Sequence, residues 1–297
     1  MGRSNKDLGE SFMQIRSHSK EMLPITCIIL TKNEEKAIED CLKSVNFCQQ
    51  IVVVDSNSID KTSDIVIESG FELINFTWNK NYPKKKQWAL QHPSILNNWV
   101  LLLDADERVS KELSDEIIDV FSSAKDSHTA FDVDISYMFA NKILKHGHKV
   151  TKRILLDKRK CSFPVLDDLN VKNMWEVEGH YQPIVLGSVG HLKGKLLHAD
   201  PDSLFDYFSR HNRYSDWEAH LRLNSEDRAI VRKAKSFQGR IFDKIPGKPL
   251  IFFLYSYFFR LGFLDGKEGF NYALALAFYY WQISVKVSES KHVSYIE

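Results

Sequence analysis

Two aspartates one residue apart, Asp104 and Asp106, stand directly after the apolar run Trp99-Val-Leu-Leu-Leu103. Carboxylates two apart on an extended or turning backbone can both reach one hard divalent cation. Mg²⁺ or Mn²⁺ takes such oxygen ligands while keeping waters and phosphate oxygens. In isolation the pattern is weak, because paired acids more often mark a solvated turn. At the end of a buried strand it points to a metal and diphosphate site. Two further polar clusters close apolar runs in the same way: Thr31-Lys-Asn-Glu-Glu35 follows Ile25 to Leu30, and Asp55-Ser-Asn-Ser58 follows Gln50 to Val54. Asp55 at such an end can accept hydrogen bonds from a ribose or a base, against the plainer reading of a helix cap. Lys84, Lys85 and Lys86 can approach a diphosphate or an anionic acceptor, against the plainer reading of a solvated loop.

The elements that must position these residues alternate from Pro24 to about Ser123. Ile25 to Leu30 reads as a buried strand, and Glu34 to Val45 places Ala37, Ile38, Cys41, Leu42 and Val45 on one helical face. A second strand ends at Asp55, and Ser58 or Asp60 is the expected cap of a helix that Gly70 stops. A third strand (Phe71 to Phe76), a short helix (about Lys84 to Gln91), a fourth strand (Trp99 to Leu103) and a helix capped by Ser110 come next. This alternation is that of a parallel sheet with crossover helices, whose ligands bind beyond the carboxyl ends of the strands. If the strands are adjacent, the three polar clusters line one crevice. No Gly-x-Gly-x-x-Gly and no P-loop follows the first strand, which removes the simplest dinucleotide and P-loop readings. Further on, Ala130 to Phe139 reads as a strand, Lys149 to Val189 as irregular β structure, and Asp202 to Leu223 as a helix. Two aromatic-rich helical segments complete the chain.

Composition limits the alternatives. The 297 residues are 43% hydrophobic and 27% charged, as in ordinary globular proteins, which excludes a disordered, collagenous or coiled-coil chain. Forty Lys and Arg against 39 Asp and Glu leave a net charge of +1, so the whole surface is not a nucleic-acid binder. Cys27, Cys41, Cys48 and Cys161 show neither zinc-knuckle spacing nor disulfide density and read as buried thiols. Residues 1–21 lack the apolar core of a signal peptide, which predicts no export. Pro249 to Phe259 and Phe270 to Val285 fall short of the roughly 20 residues that span a bilayer.

Taken in order, Ile25-Thr-Cys-Ile-Ile-Leu-Thr-Lys-Asn-Glu-Glu35, Val53-Val-Asp-Ser-Asn-Ser-Ile-Asp-Lys-Thr62 and Leu102-Leu-Asp-Ala-Asp-Glu-Arg108 resemble family 2 glycosyltransferases of the GT-A fold. The branch containing lipopolysaccharide-core β-glucosyltransferases is the most similar. The resemblance covers residues 24–123, and Gly262-Phe-Leu-Asp-Gly-Lys-Glu-Gly269 is similar to that branch's C-terminal region. It implies an α/β, Rossmann-like nucleotide-diphospho-sugar transferase domain over 24–200, with a donor half (24–123) and an acceptor half (124–200). A segment 1–23 precedes it, and a helical C-terminal region (201–297) completes the chain. By the same resemblance Thr31 and Asp55 contact the uridine of a nucleotide-sugar, with Asn33 and Glu34 nearby. Asp104 and Asp106 organise the Mn²⁺ or Mg²⁺ ion and the diphosphate, Asp104 facing mainly the sugar and ribose and Asp106 the metal; of the lysine run, Lys85 is the expected donor contact. Transfer with inversion then requires a base that deprotonates the acceptor hydroxyl while the cation stabilises the departing nucleoside diphosphate.

The base must come from beyond the nucleotide half. Trp175-Glu-Val-Glu-Gly-His-Tyr-Gln-Pro183 is the candidate segment, with Glu178 first, Glu176 second and His180 as an acceptor or phosphate contact. His180 reads equally well as a structural histidine, and Trp175 and Tyr181 as sugar-stacking or core residues. His198, Arg210, His211, Asn212, Arg213 and Tyr214 are expected to form a partly basic helical surface. Lys244, Lys248, Arg260 and Lys267 flank Phe252, Phe253, Leu254, Tyr255, Tyr257, Phe258, Phe259 and Phe263. That composition suits helices lying in a membrane interface, or else internal packing. The expected partners are thus a nucleotide-sugar, a lipid-linked or lipopolysaccharide-core acceptor and a membrane surface, with no nucleic acid, at the cytoplasmic face of a bacterial inner membrane. Two competing readings are a sugar-phosphate nucleotidyltransferase, disfavoured because Thr31–Glu35 lacks a glycine-rich phosphate loop, and a non-catalytic membrane-docked scaffold.

Overall fold

The computed structural model describes residues 22–123, 127–165, 171, 182–199, 203–234 and 247–293. Its first half has the expected alternation: β1 (Leu23–Thr31), α1 (Ile38–Ser44), β2 (Cys48–Asp55), α2 (Thr62–Glu68), β3 (Glu72–Asn75), α3 (Lys85–Gln91) and β4 (Trp99–Asp104). Then come β5 (Glu107–Val109), α4 (Lys111–Ser122), β6 (Ala130–Phe139), β7 (Lys142–Ile143), β8 (Thr151–Asp157), β9 (Cys161–Ser162), β10 (Ile184–Val185) and β11 (Val189–His198). The helical remainder is α5 (Leu204–Leu223), α6 (Ser225–Ala234), α7 (Lys248–Leu254), a π-helical turn Tyr255–Phe259, a 3₁₀ turn Gly262–Asp265 and α8 (Gly266–Val293).

Among the described residues the main sheet runs β3-β2-β1-β4-β8-β6-β11-β5, with β7 on β6. β3, β2, β1 and β4 are parallel, as the βα alternation requires. The strands after them pair antiparallel, except that β6 and β11 are parallel. Ile25, Ile29, Val53, Leu101 and Leu103 build the core on one face with α1 and α4, while Ile28, Val52, Val54 and Leu102 pack on the other. Apolar side chains on both faces explain the near-continuous hydrophobic runs of these strands. The four cysteines are buried, unpaired thiols, as expected.

Two departures from the sequence expectation shape the site. Helix α1 begins at Ile38 rather than Glu34, because the chain turns at Asn33 (φ 57°). Neither Ser58 nor Asp60 is the N-cap of α2, a position held by Lys61. Instead the Asp60 carboxylate accepts from the Thr62 amide at 3.0 Å, one step earlier. Ser110 does cap α4, its Oγ accepting from the Leu113 amide.

Strand β11 carries His198 into the sheet, between β6 and β5. It bulges between Leu192 and Lys195, and there Gly194 passes under α4. A Cβ at Gly194 would lie 2.4 Å from Leu113 Cα, so only glycine allows this approach. Glu116 on α4 secures the bulge by accepting from the Lys193 and Gly194 amides, both at 2.8 Å.

Candidate active site

The strand register brings the polar clusters together. Thr31 stands opposite Asp55 across β1 and β2, and Leu30 stands opposite Asp104 across β1 and β4. The carboxyl ends of these three adjacent strands thus form one row, as the sequence implied. The loops beyond them are cross-braced. The Asn33 amide donates to Ser58 Oγ (2.8 Å), the Ile59 amide to Asn33 Oδ1 (2.8 Å), the Glu34 amide to Thr62 Oγ1 (2.7 Å) and the Lys61 amide to Glu35 Oε2 (3.1 Å). Asn33 and Glu34 therefore build the crevice wall through their backbones and, for Asn33, its side chain. Asp55 is 1% exposed, and its carboxylate accepts from the Ser58 amide at 2.7 Å. Thr31 Oγ1 is buried with no hydrogen-bond partner among the described residues.

Lys85 lies at the end of β1. It is buried and its Nζ donates to the Thr31 carbonyl oxygen at 2.8 Å, which fixes α3 against the end of β1. Lys86 is the lysine of the run whose charge is felt by Asp104.

At the end of β4 the structure adds a group that the sequence did not single out. Lys152 on β8 places its Nζ 2.7 Å from Asp104 Oδ2 and 2.6 Å from Glu107 Oε2. Glu107 also accepts from the Asp104 amide at 2.8 Å, closing a compact clamp. Burial raises the Asp104 carboxyl pKa, but the Lys152 ammonium and then Lys86 outweigh it and hold the group well below the usual carboxylate range. Glu107 shifts the other way. It is almost fully buried, and burial, with Asp104 and Asp106 beside it, exceeds what Lys152 offsets. Lys152 is raised: burial opposes its charge, but Asp104 and Glu107 outweigh burial.

Asp106, beside this clamp, pairs with a histidine. Its Oδ2 lies 3.5 Å from His198 Nδ1, a buried nitrogen that makes no hydrogen bond among the described residues. The pairing is built by the backbone: His198 stands opposite Glu107 across β11 and β5, and the Ala199 amide donates to the Asp106 carbonyl at 2.9 Å. His198 is thus a strand residue and not part of the C-terminal helical surface expected for it. Opposite it on β6 stands Tyr137, with ring centroids 5.2 Å apart. A carboxylate oxygen and an unsatisfied imidazole nitrogen facing each other are a donor set that fits a divalent cation. Among the described residues no group of three or more His, Cys, Asp or Glu converges as a complete metal cage. Such a cation would complete its shell with water and phosphate oxygens. Glu176, Glu178 and His180, with Trp175 and Tyr181, lie outside the described residues.

The C-terminal segments divide between packing and exposure. Phe252 and Tyr272 are buried, and Tyr272 joins Phe139, Leu144 and Ala275 in a small core. Leu250, Phe258, Phe259, Leu264, Leu274 and Trp281 are exposed, Phe259 at 80%. Among the described residues no helix is long and apolar enough to cross a membrane.

Comparison with known proteins places these features. The glycosyl transferase family 2 model matches residues 26–168. An uncharacterized glycosyltransferase of Rickettsia typhi is 28% identical over 86% of this chain and 84% of its own length. The lipopolysaccharide core biosynthesis glycosyltransferase LpsC of Rhizobium meliloti is 26% identical over 89% of this chain and 92% of its own length. Among solved structures, a mannosyltransferase of Pyrobaculum calidifontis in complex with GDP-Man and Mn²⁺ is 13% identical with a TM-score of 0.49, over 97% of this chain and all of that one. Residues 26–168 thus match the glycosyl transferase family 2 model, and the chain is a glycosyltransferase with a GT-A-like mixed α/β fold.

Proposed function

We propose that the enzyme transfers a sugar, with inversion, from a UDP-sugar to a lipid-linked glycan of the lipopolysaccharide-core type, using Mn²⁺ or Mg²⁺. The observation that carries the reading is the row formed by Thr31, Asp55 and Asp104, ending at the Asp106–His198 pair. Thr31 and Asp55 bind the uridine: each is buried, and the Thr31 hydroxyl waits for a partner. Asp104, held ionised by Lys152, accepts from the ribose or sugar hydroxyls, and Asp106 with His198 holds the cation. When bound, that cation neutralises the negative charge that develops on the departing diphosphate. A base from the second half, Glu178 before Glu176, takes the proton of the acceptor hydroxyl. The acceptor oxygen bonds to the anomeric carbon as the bond to the diphosphate breaks, and the leaving group carries away the electron pair. Lys152 and Lys86 add fixed positive charge at this end of the crevice.

The acceptor class is supported by the similarity to LpsC and by the aromatic face of α7, the π-helical turn and α8. Exposed apolar side chains in such number, with Arg260 and Lys267 exposed between them in the chain, match a protein resting on the cytoplasmic leaflet. Flotation with anionic liposomes checks this. The wild type is expected to float, whereas Phe258→Ser/Phe259→Ser is expected to remain largely in the soluble fraction. A wild type that stays wholly soluble without detergent would remove the membrane from the reading.

A panel of nucleotide-sugars, scored by thermal shift and by slow donor hydrolysis with and without Mn²⁺, tests the donor. UDP-sugars should give the largest metal-dependent response, and a larger response to another nucleotide would reassign it. On the same assays Glu178→Gln should leave UDP binding nearly intact and lower transfer about 100-fold or more, as expected for a lost general base. If Glu176→Gln does so instead, the base is two residues earlier.

A further inference from the structure

Beside Tyr137, residues of β6, the segment Leu144–Lys149, Lys195 of β11 and Tyr272 of α8 line a cavity of about 40 Å³. One water needs ~10–15 Å³ by such a measure, so the space suits a group of roughly three water-sized parts, a carboxylate or a phosphate rather than a sugar ring. Its ionisable lining is Asp134, Lys145, His146, His148, Lys149 and Lys195. Asp134 is already engaged, by Lys195 Nζ at 2.9 Å and by the Thr151 hydroxyl at 3.1 Å. His146 leans on Asp265, with its amide 2.7 Å from Oδ2 and its Nδ1 3.3 Å from Oδ1. Lys145 and Lys149 are exposed, and neither has a carboxylate partner among the described residues. The wall thus carries more positive than negative charge, which favours an anion.

His148 supplies a different donor. Its Nδ1 is buried and makes no hydrogen bond among the described residues. Burial, and then the Arg260 guanidinium, push its pKa down to about 4, so near pH 7 the ring is neutral and offers an N–H rather than a charge.

The position is as telling as the charge. Tyr137 lines the cavity, and its ring centroid lies 5.2 Å from that of His198. The loop Leu144–Lys149 is stapled to the segment that exposes Phe258 and Phe259: the Gly147 amide donates to the Arg260 carbonyl at 2.8 Å and the His148 amide to Ser256 Oγ at 3.1 Å. Gly147 has φ +87° and lies against Ser256 and Gly262, which keeps the loop close to that segment. An acceptor reaching from a membrane surface to the reacting centre would pass this point.

We propose that this cavity is an acceptor subsite for an oxyanion, a phosphate or carboxylate on the acceptor glycan away from the reacting hydroxyl, with Lys145 and Lys149 as its charge contacts. The proposal rests on the glycosyltransferase reading with a lipid-linked acceptor and names the chemistry by which that acceptor is recognised. Charge-assisted contacts of this kind give orientation as well as affinity.

The test uses the full chain saturated with UDP and Mg²⁺, so that the diphosphate position is filled. Inorganic phosphate and methyl glucuronide are titrated separately by calorimetry at constant ionic strength. Saturable binding of at least one is expected, weakened tenfold or more in Lys145→Gln/Lys149→Gln while UDP affinity changes less than twofold. Tighter phosphate binding identifies a phosphorylated acceptor, and tighter glucuronide binding a sugar acid. Absence of saturable binding of either to the wild type, or equal affinity in the variant, overturns the proposal. If the wild type fails to bind UDP, the donor assignment fails instead, and the same titrations without UDP still decide the cavity.

Discussion

Asp106→Ala lowers kcat/KM for transfer about 1,000-fold and removes the extra thermal stabilisation that Mn²⁺ adds to UDP. The size follows from the work assigned to the site: neutralising the leaving diphosphate is worth several kcal/mol, and each ~1.4 kcal/mol is tenfold in rate. The loss is expected to fall on cation binding more than on the fold. The backbone contact at this point, from the Ala199 amide to the Asp106 carbonyl oxygen, is retained by alanine. Thermal shift with UDP alone, with Mn²⁺ alone and with both separates the terms. A variant in which UDP and Mn²⁺ together stabilise as much as in the wild type would show that Asp106 is not a ligand.

The second large effect is on stability. Lys152→Met is expected to destabilise the protein by about 3–5 kcal/mol, the usual cost of removing one partner from a buried ion pair, or roughly 10 °C in Tm for a domain of this size. The cause is Glu107. Asp104, 44% exposed at its side chain, can turn to water when Lys152 is lost, but Glu107 is 3% exposed and would remain beside two other acids with no cation. The double variant Lys152→Met/Glu107→Gln should recover much of the loss, since a neutral amide oxygen can still accept from the Asp104 amide. A single variant melting within about 1 °C of the wild type, by the usual scatter of surface substitutions, would show that the clamp contributes nothing.

The donor half is legible because its signals are local. Ile25–Leu30, Ile51–Val54 and Val100–Leu103 are apolar runs interrupted by amphipathic helices, and each ends in polar residues that the parallel register then aligns. What the sequence hides lies in contacts between distant positions. Lys152 reads as one more lysine on a surface strand, and only the antiparallel pairing of β8 with β4 delivers it to Asp104. His198 reads with the helical residues that begin a few positions later, because the bulged β11, with Gly190 and Gly194, lacks a clean two-residue alternation. Ser58 and Asp60 have the chemistry of helix caps, yet bind across to the other loop, an outcome that needs the strands side by side. The aromatic C-terminal segments offer two destinations, membrane or core, and the structure uses both faces: Phe252 and Tyr272 inward, Phe258 and Phe259 outward.

The place of β11 in the sheet has a consequence for biogenesis. Asp106 and His198 come from positions far apart in the chain and meet only when β11 has been inserted between β6 and β5. While the ribosome is still making the second half, the nucleotide-binding row can already be complete, but the cation pair cannot. Under the proposed donor and cation assignment, tight binding of UDP with its cation would be delayed until nearly two thirds of the polypeptide has emerged. Under the same assignment, a nascent chain that ended at residue 168, where the family match ends, would have the uridine side of the crevice without the cation pair, and would be expected to hydrolyse nucleotide-sugars poorly.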